Sequence, residues 1–331
     1  MSATATLSPR ARALLGDSIV WDNHGCPPMR PNSARLPQLE RYKTSGCSTV
    51  SLNAGYGPMG WDEHIALLTY MREWLLERPT EYLLVHAPED VVLAKQTNRL
   101  GVFFDVEGMV PVQDDPTRVR QFYSLGVRWM LVAYNMTNAA GGGCLEDDPG
   151  LTSIGRQIID EMDAAGMVLC LSHTGAVTAR QALEHARNPV ILSHSNPASV
   201  TAHPRNVSDE LMKACAAKGG VIGLNGIGPF LGARDDLVSA LLRHIRYVVD
   251  LVGPEHVGLG LDYVLDWEEI EADVLANPAM FPPDLAGSIA MIEPEDIPQI
   301  VEGLCALGLS DSAIRGILGE NWLRVARQVW K

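Results

Sequence analysis

Val168–Asn196 reads VLCLSHTGAVTARQALEHARNPVILSHSN. Two short apolar runs, each closed by Ser-His, flank a segment with helical spacing over Val177–Ala186. A strand buried on both faces reads as an unbroken apolar run, so the pattern is strand, helix, strand, with the two strands parallel. Working outward, similar runs recur at Ser18–Trp21, Cys47–Leu52, Gly101–Phe104, Val127–Val132, Val168–Leu171, Val190–Leu192, Val221–Leu224 and Val257–Leu261. Helical patterns fall between them at Trp61–Leu76, Ser153–Ala165, Ser208–Ala217 and Asp235–Val252. Strand–helix alternation of this kind predicts a parallel α/β fold, and eight strands predict a closed (β/α)8 TIM-type barrel, with room for distortion. Asn53–Leu100 carries extra helix between the second and third runs. Tyr263–Pro298, rich in proline and acidic residues, is read as an insertion over the mouth, a lid or a dimer contact. Asp311–Trp330 reads as a tail of two short helices broken at Gly319. No linker divides residues 1–331, so one barrel domain is expected.

Composition narrows the function. Lysine and arginine total 26 against 40 acidic residues, a formal net charge of −14. A nucleic-acid partner is not expected, because neutralising phosphates needs clustered cations. No run is long and apolar enough for a membrane span, and MSATATLSPRARALLGDS lacks the apolar core of a signal peptide, which predicts a cytoplasmic protein. The six cysteines form no C-x-x-C pair, so neither a disulfide framework nor a zinc ribbon is expected.

The polar residues that close the apolar runs carry the chemistry. The first run leads into Asp22-Asn23-His24, the third into Glu107, the fifth into His173, the sixth into His194 and the eighth into Asp262. In a parallel barrel these carboxyl ends converge on one mouth, where sites of this fold lie. Two neutral imidazoles and a carboxylate make a three-ligand metal site with a position left for water, and Glu107, His173 and His194 supply that set. A metal there would lower the pKa of its water and polarise a carbonyl. Asp262 is then placed to move a proton. There is no G-x-S-x-G elbow, no phosphate loop and no H-E-x-x-H helix.

At these residues the chain resembles the membrane dipeptidase (renal dipeptidase) family of the amidohydrolase superfamily. The resemblance lies in GLTSIGRQIIDEMDAAGMVLCLSHTG, in PVILSHSNPASVTAHPRNVSDELMKACAAKGGVIGLN and in HIRYVVDLVGPEHVGLGLD. It extends to LGVRWMLVAYNMTN and AIRGILGENWLRVARQV. It implies a two-zinc site, with Glu107 as the bridging carboxylate and His173, His194 and His24 as ligands. It further implies Asp262 as the acid/base, Arg205 gripping a substrate carboxylate, and a homodimer. The family's His-x-Asp on the first strand is here His24-Gly25-Cys26. Residues two apart on an extended segment face the same way. Cys26 therefore either replaces the aspartate as a thiolate ligand or leaves the first metal position weak or empty; Asp22 lies two residues away on the other side. The family's substrate-contacting histidine is replaced by Tyr134, followed by Asn135, and these two are expected in the substrate pocket. The expected reaction is hydrolysis of an amide bond in a small carboxylate-bearing substrate, such as a dipeptide or N-acyl amino acid, by metal-activated water. A lyase or a lactone or cyclic-amide hydrolase on the same barrel, or a non-catalytic ligand binder, remains as the alternative.

Overall fold

A computed structural model describes residues 7–32, 34–287 and 289–331. Of the amino-terminal segment read for a leader, residues 1–6 lie outside the described residues. The chain runs through β1 (Trp21–Cys26), β2 (Thr49–Tyr56), β3 (Tyr82–Leu84), β4 (Leu100–Glu107) and β5 (Val127–Leu131). It continues through β6 (Val168–Cys170), β7 (Ile191–Leu192), β8 (Val221–Leu224), β9 (Val257–Leu259) and β10 (Tyr263–Val264). All these strands pair in parallel, in the order β10-β1-β2-β4-β5-β6-β7-β8-β9, and pairing of β1 with β9 closes an eight-stranded barrel. The helices Trp61–Leu76, Ser153–Ala165, Ala176–His185, Asp209–Ala217 and Leu237–Val252 follow the sequence pattern to within two residues.

Three departures from the pattern shape the site. The first strand is not Ser18–Trp21 but begins at Trp21 and carries the polar string itself. Its register on β2 shifts between Asp22 and Gly25. Such a bulge changes which residues point inward. Below it Trp21 and Asn23 share a side, joined by an indole N–H donated to Asn23 Oδ1 at 3.0 Å; above it His24 and Cys26 do. The last strand is interrupted: β9 pairs with β1 at Asp22, the chain breaks at Gly260-Leu261-Asp262, and β10 resumes on the same edge at Gly25 and Cys26. Gly260 permits the break, because a Cβ there would lie 1.9 Å from the carbonyl oxygen of Ser193. Finally, β3 pairs with the first half of β4, on Leu100–Val102, while β5 takes the second half.

The amino-terminal end of the barrel is filled by aromatics. Trp21 lies 5.3 Å from Phe103 and 5.9 Å from Trp330, and Trp322 and Trp129 belong to the same buried cluster. Trp322 comes from the tail, whose helices Asp311–Arg315 and Asn321–Val329 are separated by a break at Gly319, as the pattern predicts. Along β4, Phe103, Asp105 and Glu107 alternate with Phe104 and Val106, so one face climbs from the aromatic plug to the mouth while the other joins the outer core. All six cysteines are free. No helix among the described residues is long and apolar enough to cross a membrane.

Candidate metal centre and active site

Three histidines reach the mouth from three strand ends, and each has its Nδ1 engaged from behind. His24 Nδ1 lies 3.4 Å from Asp105 Oδ2, which also accepts the Ser51 hydroxyl at 2.5 Å. His173 Nδ1 lies 2.7 Å from Asn135 Oδ1, and His194 Nδ1 lies 2.7 Å from Ser193 Oγ. A partner on one ring nitrogen fixes the ring and turns the other nitrogen outward as a ligand. The Nε2 atoms converge on Glu107: Oε1 is 3.2 Å from His173, 3.2 Å from His194 and 3.6 Å from His24. His173 and His194 Nε2 are 2.8 Å apart.

Glu107 Oε1 is buried with no hydrogen-bond partner. A buried carboxylate oxygen facing the lone pairs of two imidazoles, those of His173 and His194, is costly unless a cation sits among them. A tetrahedral ion with bonds of about 2.0–2.1 Å holds its ligand atoms about 3.3 Å apart; the three distances to Glu107 lie near that value, and the two imidazole nitrogens at 2.8 Å sit closer than it. The charges agree. Burial raises the Glu107 pKa to about 8 against the pull of His24, with Asp262 and Asp105 adding to the rise. Burial opposes a charge on His24, but Cys26, Asp105 and Glu107 together push its pKa well above the ordinary value. His173 and His194 go the other way, well below it, through burial and then the nearby Arg205 and His24 charges. They are therefore neutral, as ligands must be. The donor set fits a metal ion.

A second group meets the first at His24. Cys26 Sγ is 3.5 Å from His24 Nε2 and donates to Asp262 Oδ1 at 3.3 Å; that oxygen is 3.5 Å from His24 Nε2. The ligand atoms of His24, Cys26 and Asp262 lie within 4.8 Å of one another, as do those of His24, Glu107 and His194. Burial, against the attraction of His24, pushes the Cys26 thiol far up. Asp22 turns away from this group: its Oδ1 accepts the Leu261 N–H at 2.7 Å, and burial raises its pKa to about 7.

Asp262 stands in the break between β9 and β10 with φ 62°, its N–H donated to the His24 carbonyl at 3.0 Å. Its Oδ2 accepts the Asn225 amide at 2.8 Å. His173 and Asn135 are also left-handed, at φ 62° and 57°. Tyr134 stacks on the His173 ring at 4.2 Å. Arg205 donates from Nη2 to His173 Nε2 at 2.8 Å, while its Nη1 is buried and unpaired. Asn135, expected to touch substrate, has its oxygen on His173 and its amide on the Met280 carbonyl at 2.9 Å.

Every residue named for the site from the sequence thus gathers at one mouth. Three others were missed. Asp105 backs His24, Asn225 holds Asp262, and Asn53 presents a buried amide Nδ2 with no partner, its Oδ1 taken by the Gly55 N–H. Asn53 and Asn225 each close an apolar run, and Asp105 lies two before Glu107. The signal that marked the histidines marks them too.

The chain belongs to the membrane dipeptidase family, peptidase family M19, whose family model matches residues 61–277. That range holds Glu107, His173, His194, Arg205 and Asp262 and starts after β1. A dipeptidase of Clonostachys rogersoniana, VerJ, is 31% identical over 259 residues, 77% of this chain and 62% of that protein. The chain therefore spans less than two thirds of that relative. An amidohydrolase from Pseudomonas aeruginosa shares the fold over 97% of this chain and 99% of its own, with a TM-score of 0.88 and 27% identity. A metallopeptidase from Rhodobacter sphaeroides, solved with a phosphinate mimic of the dipeptide L-Ala-D-Ala, has the same barrel at a TM-score of 0.76 and 20% identity, covering 95% of this chain and 100% of that one.

Proposed function

We propose that this member of the membrane dipeptidase family hydrolyses the amide bond of a small substrate bearing a carboxylate, a dipeptide or an N-acyl amino acid. The observation that carries the reading is the unpaired Glu107 Oε1 ringed by three imidazole nitrogens, with the unpaired Arg205 Nη1 beside them in the same chamber. Glu107, His173 and His194 would hold one zinc ion, and His24 with Cys26, sharing Glu107, would hold a second. When bound, zinc makes water acidic enough to be a nucleophile at neutral pH and polarises the carbonyl under attack.

The remaining work falls to the protein. Arg205 takes the substrate carboxylate on Nη1, since a guanidinium matches that group and this nitrogen is desolvated without a partner. Asn53 Nδ2 and the Tyr134 hydroxyl are the donors at hand for the carbonyl oxygen as it gains charge. Asp262 receives the proton of the attacking water on Oδ1, which the Cys26 thiol would vacate on becoming a thiolate ligand while Asn225 stays on Oδ2, and returns it to the amine that leaves. Asn135 acts through His173, as a positioning residue.

Replacing Asp262 with Asn keeps the shape and removes the base. Against a panel of dipeptides and N-acyl amino acids, kcat should fall by roughly 10²–10⁴-fold, the range typical of a lost acid/base. Turnover equal to the parent would sink the mechanism.

A further inference from the structure

Behind the charged cradle the chamber changes character. Its wall opposite the strand ends comes from the segment after β10, through Trp267, Ile270, Phe281 and Leu285. Tyr56 from β2 stands 4.9 Å from Tyr134, and Phe281 stands 6.2 Å from both rings. An aromatic row therefore runs from the face of His173 up to the overlying segment, and Tyr56, Val274 and Phe281 form a buried apolar cluster of their own, apart from the barrel cores. The Tyr56 hydroxyl is spent on Asp273, so Tyr56 offers the chamber its ring. Asp273 is the segment's acidic residue at the edge of the row, held by that hydroxyl; Glu269 pairs with Arg30 at 3.1 Å, Asp266 with Arg35 at 3.0 Å and Asp284 with His203 at 3.3 Å. Among the described lining residues, charge is confined to the cradle and Arg205.

We propose that this row is a side-chain subsite, and that the substrate carries a bulky apolar or aromatic side chain lodged between Tyr56, Tyr134 and Phe281 beneath Ile270. The inference rests on the hydrolytic reading above and narrows its substrate class. A charged side chain placed there would be desolvated without a partner, whereas an apolar one gains its burial. The chamber's cavity volume is about 60 Å³, too small for a bulky side chain as it stands. A substrate side chain therefore enters by parting Phe281 and Ile270 from the Tyr56 ring, and Trp267–Ala276 with the turn after it acts as a lid.

Binding and turnover separate this claim from the one beneath it. N-acetyl-X and X-Ala compounds, with X as Gly, Leu, Phe, Glu or Lys, are titrated calorimetrically into the zinc-loaded chain, and the same compounds are assayed for hydrolysis. Leu or Phe should bind at least about tenfold tighter than Gly, Glu and Lys in one of the two series, in line with the selectivity of a hydrophobic pocket. Equal binding across both series, or tighter binding of Glu or Lys, overturns the subsite. Apolar preference in binding with no hydrolysis of any compound supports the subsite and rejects the reaction. Phe281→Ser should erase the preference, while Leu275→Ser, at a position 64% exposed on the helix that precedes Phe281, should keep it. A preference that survives Phe281→Ser removes the aromatic row from the explanation.

Discussion

The two halves of the cradle are built from the same parts to different standards. On one side Glu107, His173 and His194 have ligand atoms 2.8–3.2 Å apart, with both rings braced and both neutral. On the other side His24, Cys26 and Asp262 are 3.3–3.5 Å apart, the thiol still carries its proton, and that proton is donated to Asp262. The first half lies within the range matched by the family and the second depends on β1, outside it. The lesson is that one half of a cradle can be built with other chemistry while the other half stays complete in itself.

The comparison breaks most sharply at the residue both halves share. Glu107→Gln should remove metal from both and lower kcat/KM by about 10³-fold or more, a loss of roughly 4 kcal/mol of transition-state stabilisation. Metal analysis showing two ions per chain in the variant would mean the halves are independent. Asp105→Asn acts directly on the second half, through the brace on His24, and reaches the first only through its charge on Glu107. It should weaken one ion by roughly 10–100-fold, as losses behind a ligand do, and leave the other ion in place on equilibrium dialysis. Acid should act in the same order. Binding an ion at His24 and Cys26 displaces a proton from each, whereas at His173 and His194, already neutral, only the shared Glu107 gives one up. Affinity in that half should therefore fall about tenfold for each pH unit and each displaced proton, and dialysis at falling pH should strip that ion first. Simultaneous loss of both would erase the distinction. The smallest change is expected from Cys26→Asp, which should keep two ions and turnover within a few fold. In Cys26→Ala the count should drop to one; an unchanged count there would show that the thiol is no ligand.

How much of this could be read in advance follows from where each residue's partners are. The barrel was legible because strands buried on both faces leave continuous apolar runs. Glu107, His173, His194 and Asp262 were legible because a histidine or carboxylate closing such a run has few other reasons to be there. β10 was not, since Tyr263 and Val264 have no pattern of their own and pair only because the break after β9 returns the chain to β1. The first strand was misplaced for a related reason: its mouth half is polar, so the apolar run ends where the pairing begins. Asp105 and Asn225 were missed because their meaning lies in a contact with a distant residue, His24 or Asp262. The aromatic row was hidden as well, since Tyr56, Tyr134 and Phe281 meet only when the segment after β10 folds over the mouth.

Asn135, His173 and Asp262 all hold a backbone conformation that side chains other than glycine disfavour. Strain of this kind costs about 1–3 kcal/mol per residue. These three positions are thus where an engineer seeking heat tolerance would find the easiest gains, and where each gain would blunt the catalyst. A screen for sturdier variants that ignores turnover should drift toward glycine at Asn135, His173 and Asp262, and so trade an enzyme for a scaffold.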